Sequence, residues 1–548
     1  MIHYPIGEIF KEMGIVAQPQ LDAALHVQKA SNIKLGEILV KLNFVTVQEL
    51  ARAVALQKQL DYIDLETYVP QADALSLIDQ EFVQLNALLP LYLENDTLHI
   101  ATSNPDNDMS SYLQEMTGKA IRFVVSDALS IARCIQLYYE QLKDPIEVKI
   151  GSIIESAVEG NEIDIIELAE LIIDNAIKDR ATDIHIMPEL VSSHIFYRVD
   201  GVMQHYYSLP NKLHHILISR LKVLGKLDII ENFKAQSGEF HFNFLQTDYN
   251  IRISTIPTMK GEKIALRLLP ENFSLYSLED LGFEPELVTK LESYLKKSSG
   301  MILIIGPSGN GKTTTLYALL RKINILERNV LSIEEPVEFQ LPFVSQLQVN
   351  LKTGFTFSKG LRHIARQDPD VIVIGEILDE ETAQLAVRSS LTGHLILSTT
   401  FGNRPSSLLT RLKDFHVDRH TLSDGLIAII SQKLIRRLCP HCKEPIEISK
   451  EKLAGKFATS SVQYLPHDTF TIYRPGGCIH CKNSGYLGRM ALAELFEIDD
   501  KIRKMIDSDQ NSLELDLYAK EQMMKELVDD ALLKVINGDT SLEEVQRI

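Results

Sequence analysis

The run Gly306, Pro307, Ser308, Gly309, Asn310, Gly311, Lys312, Thr313 constrains this 548-residue chain more than any other stretch of it. It stands directly after the apolar segment MILII and before the helix-forming TTTLYALLRKI. A G-x-x-x-x-G-K-T loop between a strand and a helix is a phosphate cradle. Glycines let backbone N–H groups converge on phosphate oxygens, and the helix N-terminus adds partial positive charge. Lys312 reaches the outer phosphates, and the Thr313 hydroxyl, followed by Thr314, ligates Mg²⁺. A chance glycine-rich turn would lack this register of strand, loop and helix.

Such a loop sits at the carboxyl edge of a parallel sheet, and the flanking sequence supplies one. The apolar segments MILIIG, VLSIEE, DVIVIG and HLILSTT alternate with helical stretches, which predicts a parallel sheet covered on both faces. DVIVIGEILDE places Glu376 at the end of one strand, our first choice for orienting Mg²⁺ or water. VLSIEEPVEF ends another strand with Glu334 and Glu335. A single acidic cluster reads equally well as a solvated turn. Two clusters on separate strands downstream of a phosphate loop favour a metal and water site.

A chain this long exceeds one hydrophobic core, so several domains are expected. Residues 6–28 and 35–57 form an internal repeat of period 29, matching Gly7 with Gly36, Leu21 with Leu50 and Gln28 with Gln57. Each copy reads as two short helices around a turn at Gly14 or Asn43, and the two copies should pack as paired hairpins. Small strands follow (DTLHIAT, AIRFVV), then a helix whose start is marked by Ser126, completing an N-terminal domain at 1–140. The charged stretch 141–160 lacks a clear period and reads as a linker. A mixed α/β domain is expected at 161–270, and the motor domain at 286–548 after a brief connector.

The formal charge of −18 argues against a general affinity for nucleic acid or anionic lipid. The N-terminus lacks a leader pattern and the apolar runs are too short to span a bilayer, so a cytoplasmic protein without transmembrane segments is expected. Four of the five cysteines form two C-x-x-C pairs, Cys439/Cys442 and Cys478/Cys481. This quartet reads as a closed, structural Zn²⁺ site within 438–485; four unrelated thiols or a redox pair is the alternative.

GPSGNGKTTTLY, IEEPVEFQ, LRHIARQDPDVIVIGEILDEETA and SSLTGHLILSTT resemble the four nucleotide-site boxes of the type II secretion and type IV pilus assembly ATPase superfamily. DRATDIHIMP, FYRVDG, SRLKVLGKLDI and IRISTIPTMKGEKIALRLL are similar to its second N-terminal, PAS-like domain, and RLCPHCK with GGCIHCKNSGYLGRMALAELFEI to its metal segment. The resemblance implies a RecA-like P-loop motor domain preceded by a mixed α/β domain and a helical-repeat domain. It implies ATP and Mg²⁺ as cofactors, Glu334 as a catalytic acid, Glu376 in the Walker B strand and His394 near the γ-phosphate. Arg198, Arg220, Arg252 and Arg267 fall where the family turns arginines toward nucleotide, although a surface ion pair is the commoner fate of any one arginine. A homo-hexamer bound to an inner-membrane platform protein is also implied, peripheral at the cytoplasmic face. Extension or secretion is favoured over retraction, because retraction motors generally lack the zinc segment and the long N-terminal region.

The match breaks close to the chemistry. Glu335 stands in the E-D-P-V-E box, Leu378 replaces the arginine of G-E-I-R-D, Ser237-Gly238-Glu239 replaces D-G-R, and Phe401 replaces the second histidine of the L-H-T-N segment. The expected function is ATP-driven pilus extension. A type II secretion ATPase is the near alternative, and a catalytically weakened nucleotide-binding scaffold the alternative of another class. The helical repeats resemble modules that bind cyclic di-GMP, yet Pro5 and Lys34 stand where those carry arginine, so a docking module is the leading expectation for them.

Overall fold

The computed structural model describes residues 4–105, 109–271, 276–457, 462, 465–522 and 524–547; the connector expected between 270 and 286 lies partly outside them. The chain divides into two compact units, one of Met1–Tyr4 with Val47–Phe273, the other of Pro5–Thr46 with Ser274–Ile548.

The first unit contains two sheets. Strands β1 (Leu88–Glu94), β2 (Thr97–Thr102) and β3 (Ala120–Val125) form a three-stranded sheet covered by the helix Ala128–Lys143. That helix is capped by Asp127, whose carboxylate accepts from the Ser130 N–H at 2.8 Å, so the cap lies one residue beyond the expected Ser126. The stretch read as a linker is a helix, Ile146–Glu159, closed by Gly160 in the left-handed region. Its apolar residues Ile146, Ile150, Ile153, Ile154 and Ala157 do follow helical spacing, and they pack on the neighbouring core.

That core belongs to six antiparallel strands: β4 (Ala181–Pro188), β5 (Ser192–Val199), β6 (Val202–Pro210), β7 (Gln236–Phe244), β8 (Thr247–Thr258) and β9 (Gly261–Pro270). They run in the order β6-β5-β4-β9-β8-β7. Ile184, Ile186, Ile195, Tyr197, Ile251, Ile253, Ile264 and Leu266 alternate onto one face. There they meet the helices Ile165–Lys178 and Asn211–Leu224, which supply Leu168, Ile172, Leu217 and Leu221.

In the second unit, β10 (Gly300–Ile305), β11 (Val330–Glu334), β12 (Val344–Gln348), β13 (Val371–Ile374), β14 (Leu395–Thr400) and β15 (Leu426–Leu438) pair in parallel. Past two further strands, β16 (Glu444–Ser449) and β17 (Thr469–Arg474), which pair with each other, β18 (Tyr486–Glu497) closes the large sheet antiparallel to β15. The order is β12-β11-β13-β14-β10-β15-β18. All six residues of β10 are buried, as a strand covered on both faces requires. Met301, Leu303 and Ile305 face one core, while Ile302 and Ile304 face another shared with Leu316 and Leu319 of the helix Lys312–Arg321. This is the expected α/β motor architecture, extended by three strands that the sequence did not single out.

The second unit also holds the helices Ile6–Glu12, Gln18–Lys29 and Leu35–Lys41. The compact units thus part within the second repeat copy, after Thr46, so that its second helix, Val47–Lys58, belongs to the first unit.

Candidate functional site

Loop 306–311 connects buried β10 to its helix through two left-handed glycines, Gly309 (φ 75°) and Gly311 (φ 74°). Gly306 has no room for a side chain, since a Cβ there would lie 2.4 Å from the Gln432 carbonyl oxygen. The loop is braced from β15. Gln432 Nε2 donates to the Asn310 carbonyl at 2.7 Å, and its Oε1 accepts from the Thr315 hydroxyl at 2.7 Å. The Leu434 N–H donates to Asn310 Oδ1 at 2.8 Å. Gln432 carries no local sequence signal, because it meets the loop only through the sheet. Pro307 and Thr314 are half-buried, whereas Ser308, Gly309 and Thr313 are exposed.

The half-buried Lys312 donates to the carbonyls of Gly306 and Pro307 at 2.9 and 3.1 Å. Burial holds its ammonium below the usual lysine value, against the opposing pull of Glu376. Burial pushes the Glu376 carboxyl up; Lys312 counters this and the charge of Glu335 adds to it. Glu376 thus shares one field with the lysine and with an exposed carboxylate from the neighbouring strand end. The hydroxyls of Ser398, Thr399 and Thr400 on β14 fix the end of β13, donating to the carbonyls of Ile374, Gly375 and Ile377 at 2.8, 2.7 and 2.8 Å.

Glu334 is buried at the end of β11, 4% exposed, and both oxygens of its carboxylate accept hydrogen bonds. Tyr317 donates to it at 2.6 Å, Ser332 at 2.6 Å and Gln346 at 3.2 Å. Gly375 packs against it, since a Cβ there would fall 3.3 Å from Glu334 Cα. The acidic pair therefore divides into one anchored and one exposed member. Sequence reasoning named Glu334 but missed Tyr317 and Gln346, which come from separate elements.

His394 does not lie with these groups. It precedes β14, and its carbonyl accepts from Gly300 N–H at the start of β10, 3.2 Å away. Six residues of extended chain put it about 20 Å from Thr400. Its Nδ1 faces the Ser389 carbonyl and the Thr392 hydroxyl at 3.0 and 3.1 Å, so its placement corrects the expectation of a residue near the γ-phosphate. The residue at the correct strand end is Phe401, whose ring centroid lies 4.6 Å from Lys312 Nζ.

In the other unit, Arg198, Arg267 and Arg252 line up across the open face of the six-stranded sheet. The register pairs Arg198 with Asp183, Asp183 with Arg267, Arg267 with Arg252 and Arg252 with Glu239. Arg267 Nε lies 3.1 Å and Arg198 Nε 3.8 Å from the Asp183 carboxylate. Glu239, where the family has an arginine, ends the row with a negative charge. Arg220 stands apart on the helix Asn211–Leu224, facing Glu170 at 4.0 Å.

The four cysteine sulfurs of Cys439, Cys442, Cys478 and Cys481 lie within 4.8 Å of one another, with three separations of 3.7 Å. A tetrahedral zinc with Zn–S of about 2.3 Å would set its sulfurs about 3.8 Å apart, and a disulfide about 2.05 Å. The donor set therefore fits zinc. Although burial raises it, the Cys481 thiol is brought down to about 7 by the N–H groups of Cys478 and Gly485, 3.4 and 3.3 Å from its sulfur.

The type II/IV secretion system protein family model matches residues 158–547, and the MshEN domain model matches 59–144, the part that follows the helical repeats. The chain is 32% identical over 556 residues to the type IV pilus assembly ATPase PilB of Myxococcus xanthus, covering 98% of each protein. It is 41% identical over 390 residues to a putative type II secretion system protein E of Escherichia coli, covering 71% of this chain and 78% of that one. Among solved structures, the ATPase DotB of Legionella pneumophila is similar with a TM-score of 0.50 at 18% identity, covering 69% of this chain and 94% of DotB, a likeness of fold alone.

Proposed function

We propose, from the premise that the chain belongs to the type II/IV secretion system protein family, that it hydrolyses ATP to power the assembly of a type IV pilus. The observation that carries the chemistry is the convergence of Lys312, Glu376 and Glu335 at one edge of the parallel sheet, beside a braced phosphate loop. The loop N–H groups would receive phosphate oxygens, and Lys312 would exchange its two carbonyl partners for phosphate. Thr313 and Glu376 would hold Mg²⁺, which when bound neutralises charge on the phosphates. Glu334, oriented by three donors, would act on the attacking water through its remaining acceptor capacity. The cysteine quartet would hold zinc as a staple between β15 and β18, with no open coordination for catalysis.

The near-complete coverage by a pilus assembly ATPase favours extension; a secretion ATPase is the second reading, favoured by the higher identity to protein E over the shorter span. A weakened scaffold draws on Phe401, Leu378 and Glu239 standing where the family carries proton donors or cations. In our reading the active form is a homo-hexamer on an inner-membrane platform protein at the cytoplasmic face. Among the described residues no helix is long and apolar enough to cross a membrane. Pro5 and Lys34 favour docking over cyclic di-GMP at the helical repeats; calorimetric titration with cyclic di-GMP tests this, and binding there would reverse it. The function itself is tested by steady-state phosphate release from the zinc-loaded oligomer beside Lys312→Ala. Turnover that disappears in the variant supports a motor, and nucleotide binding without turnover supports the scaffold.

A further inference from the structure

The loop between β11 and β12 reaches from the anchored Glu334 to the N-terminal helical repeat. Gln346, on β12, holds the loop from within. Its Oε1 accepts from the Leu341 N–H at 2.7 Å, while its Nε2 donates to the Phe339 carbonyl at 2.8 Å and to Glu334 Oε1 at 3.2 Å. Phe339 stands edge-on to Tyr317, with ring centroids 5.3 Å apart, and Tyr317 is the other long-range donor to Glu334.

At the end of the same loop, immediately before β12, Phe343 adopts φ 62°, a region that an aromatic residue enters only when its surroundings hold it there. The surroundings are the repeat. The Phe343 ring stacks on Phe44 at 5.9 Å and 15°, and Asn43 and Phe44 line a small pocket with Leu341, Pro342 and Leu320. Both segments belong to the same compact unit.

We propose that Gln346 is a positioning residue for Glu334, and that the repeat at 5–46 controls hydrolysis through it, with the Phe44–Phe343 stack holding the loop in the arrangement Gln346 requires. The proposal rests on the reading of the chain as an ATPase with Glu334 at the reaction. Coupling runs from Phe44 to Phe343 by ring stacking, along the backbone through Pro342 to Leu341, and then by hydrogen bonds to Gln346 and Glu334. Whatever displaces the repeat therefore lowers turnover without touching the phosphate loop.

The test uses the full-length, zinc-loaded protein. Phe343→Asn removes the ring yet tolerates the left-handed backbone, and Phe343 is 53% exposed, so the variant should fold; Phe44→Leu approaches the same contact from the other side. Each should lower kcat about fivefold or more with KM for ATP unchanged. Gln346→Leu should do the same, and adding Phe343→Asn to it should cost no more, because the two act in series. Additive losses, or an unaltered kcat in Phe343→Asn, would overturn the proposal. Hydrogen exchange at 338–346 supplies a second reading independent of activity. Exchange should accelerate in Phe343→Asn, and unchanged protection there would also overturn the proposal. If the parent protein shows no turnover, the ATPase reading falls while the exchange result still decides whether the repeat holds the loop.

Discussion

Lys312 Nζ lies 4.6 Å from the centroid of the Phe401 ring, at the strand end where the family's histidine box usually carries its second histidine. The ring offers the lysine a cation–π contact but no hydrogen bond to a transferring phosphoryl group. Phe401→His should therefore raise kcat, by roughly tenfold if it restores one preorganised donor. Steady-state hydrolysis at saturating ATP reads this out; a lowered kcat would mean that the ring itself is required.

Glu335 adds to the rise of the Glu376 carboxyl that burial begins and Lys312 opposes. The working form of Glu376 is the carboxylate, so activity falls as pH drops through its raised value. Glu335→Gln removes one source of that rise and should move the acid limb of kcat/KM to lower pH. A limb that stays in place would show that the two carboxyls do not share a field in solution.

The sulfur quartet predicts one zinc per chain, measurable by mass spectrometry of the purified protein. Cys442→Ser or chelation should lower the thermal midpoint of the motor unit by roughly 5 °C or more. Without metal, the knuckles beside β15 and β18 keep the Cys439 N–H bond to the Gly485 carbonyl at 2.9 Å and the stack of His441 on His480, but their four sulfurs are left with weak contacts alone. An unchanged midpoint after proven zinc loss would refute the structural role.

Glu494, on β18, is pushed up to about 7, first by burial and then by Glu526. A carboxyl raised on folding favours the native state below its ordinary value, and that contribution is lost as pH rises through about 7. Glu494→Gln should therefore raise the thermal midpoint at pH about 8 and change it little at pH about 5. Equal shifts at both pH values would contradict the sign.

The parts of this structure legible in the sequence are those whose signal is local. The phosphate loop announces itself because strand, glycines and helix follow one another within twenty residues, and the cysteine knuckles because each pair is one turn. The helix at 146–159 was harder to see because Glu147, Lys149, Glu155 and Glu159 interrupt its apolar stripe, although Ile146, Ile150, Ile153 and Ile154 keep the spacing. The error over His394 has a geometric cause. A box motif names residues on one strand without saying which end meets the ligand, and six extended residues carry His394 to the far edge. The anchoring of Glu334 and the bracing of Asn310 were illegible because Tyr317, Gln346 and Gln432 reach them through tertiary contacts between separate elements. The arginine row likewise exists only once the register across β5, β4, β9 and β8 is known.

The most direct test of the central claim is the turnover of Glu376→Gln beside its affinity for a fluorescent ATP analogue. The substitution keeps size and hydrogen bonding while removing the charge that faces Lys312. An active motor predicts retained nucleotide binding with hydrolysis reduced at least about a hundredfold. Hydrolysis at the parent rate would contradict it, leaving a nucleotide-binding protein whose acidic strand end takes no part in the reaction.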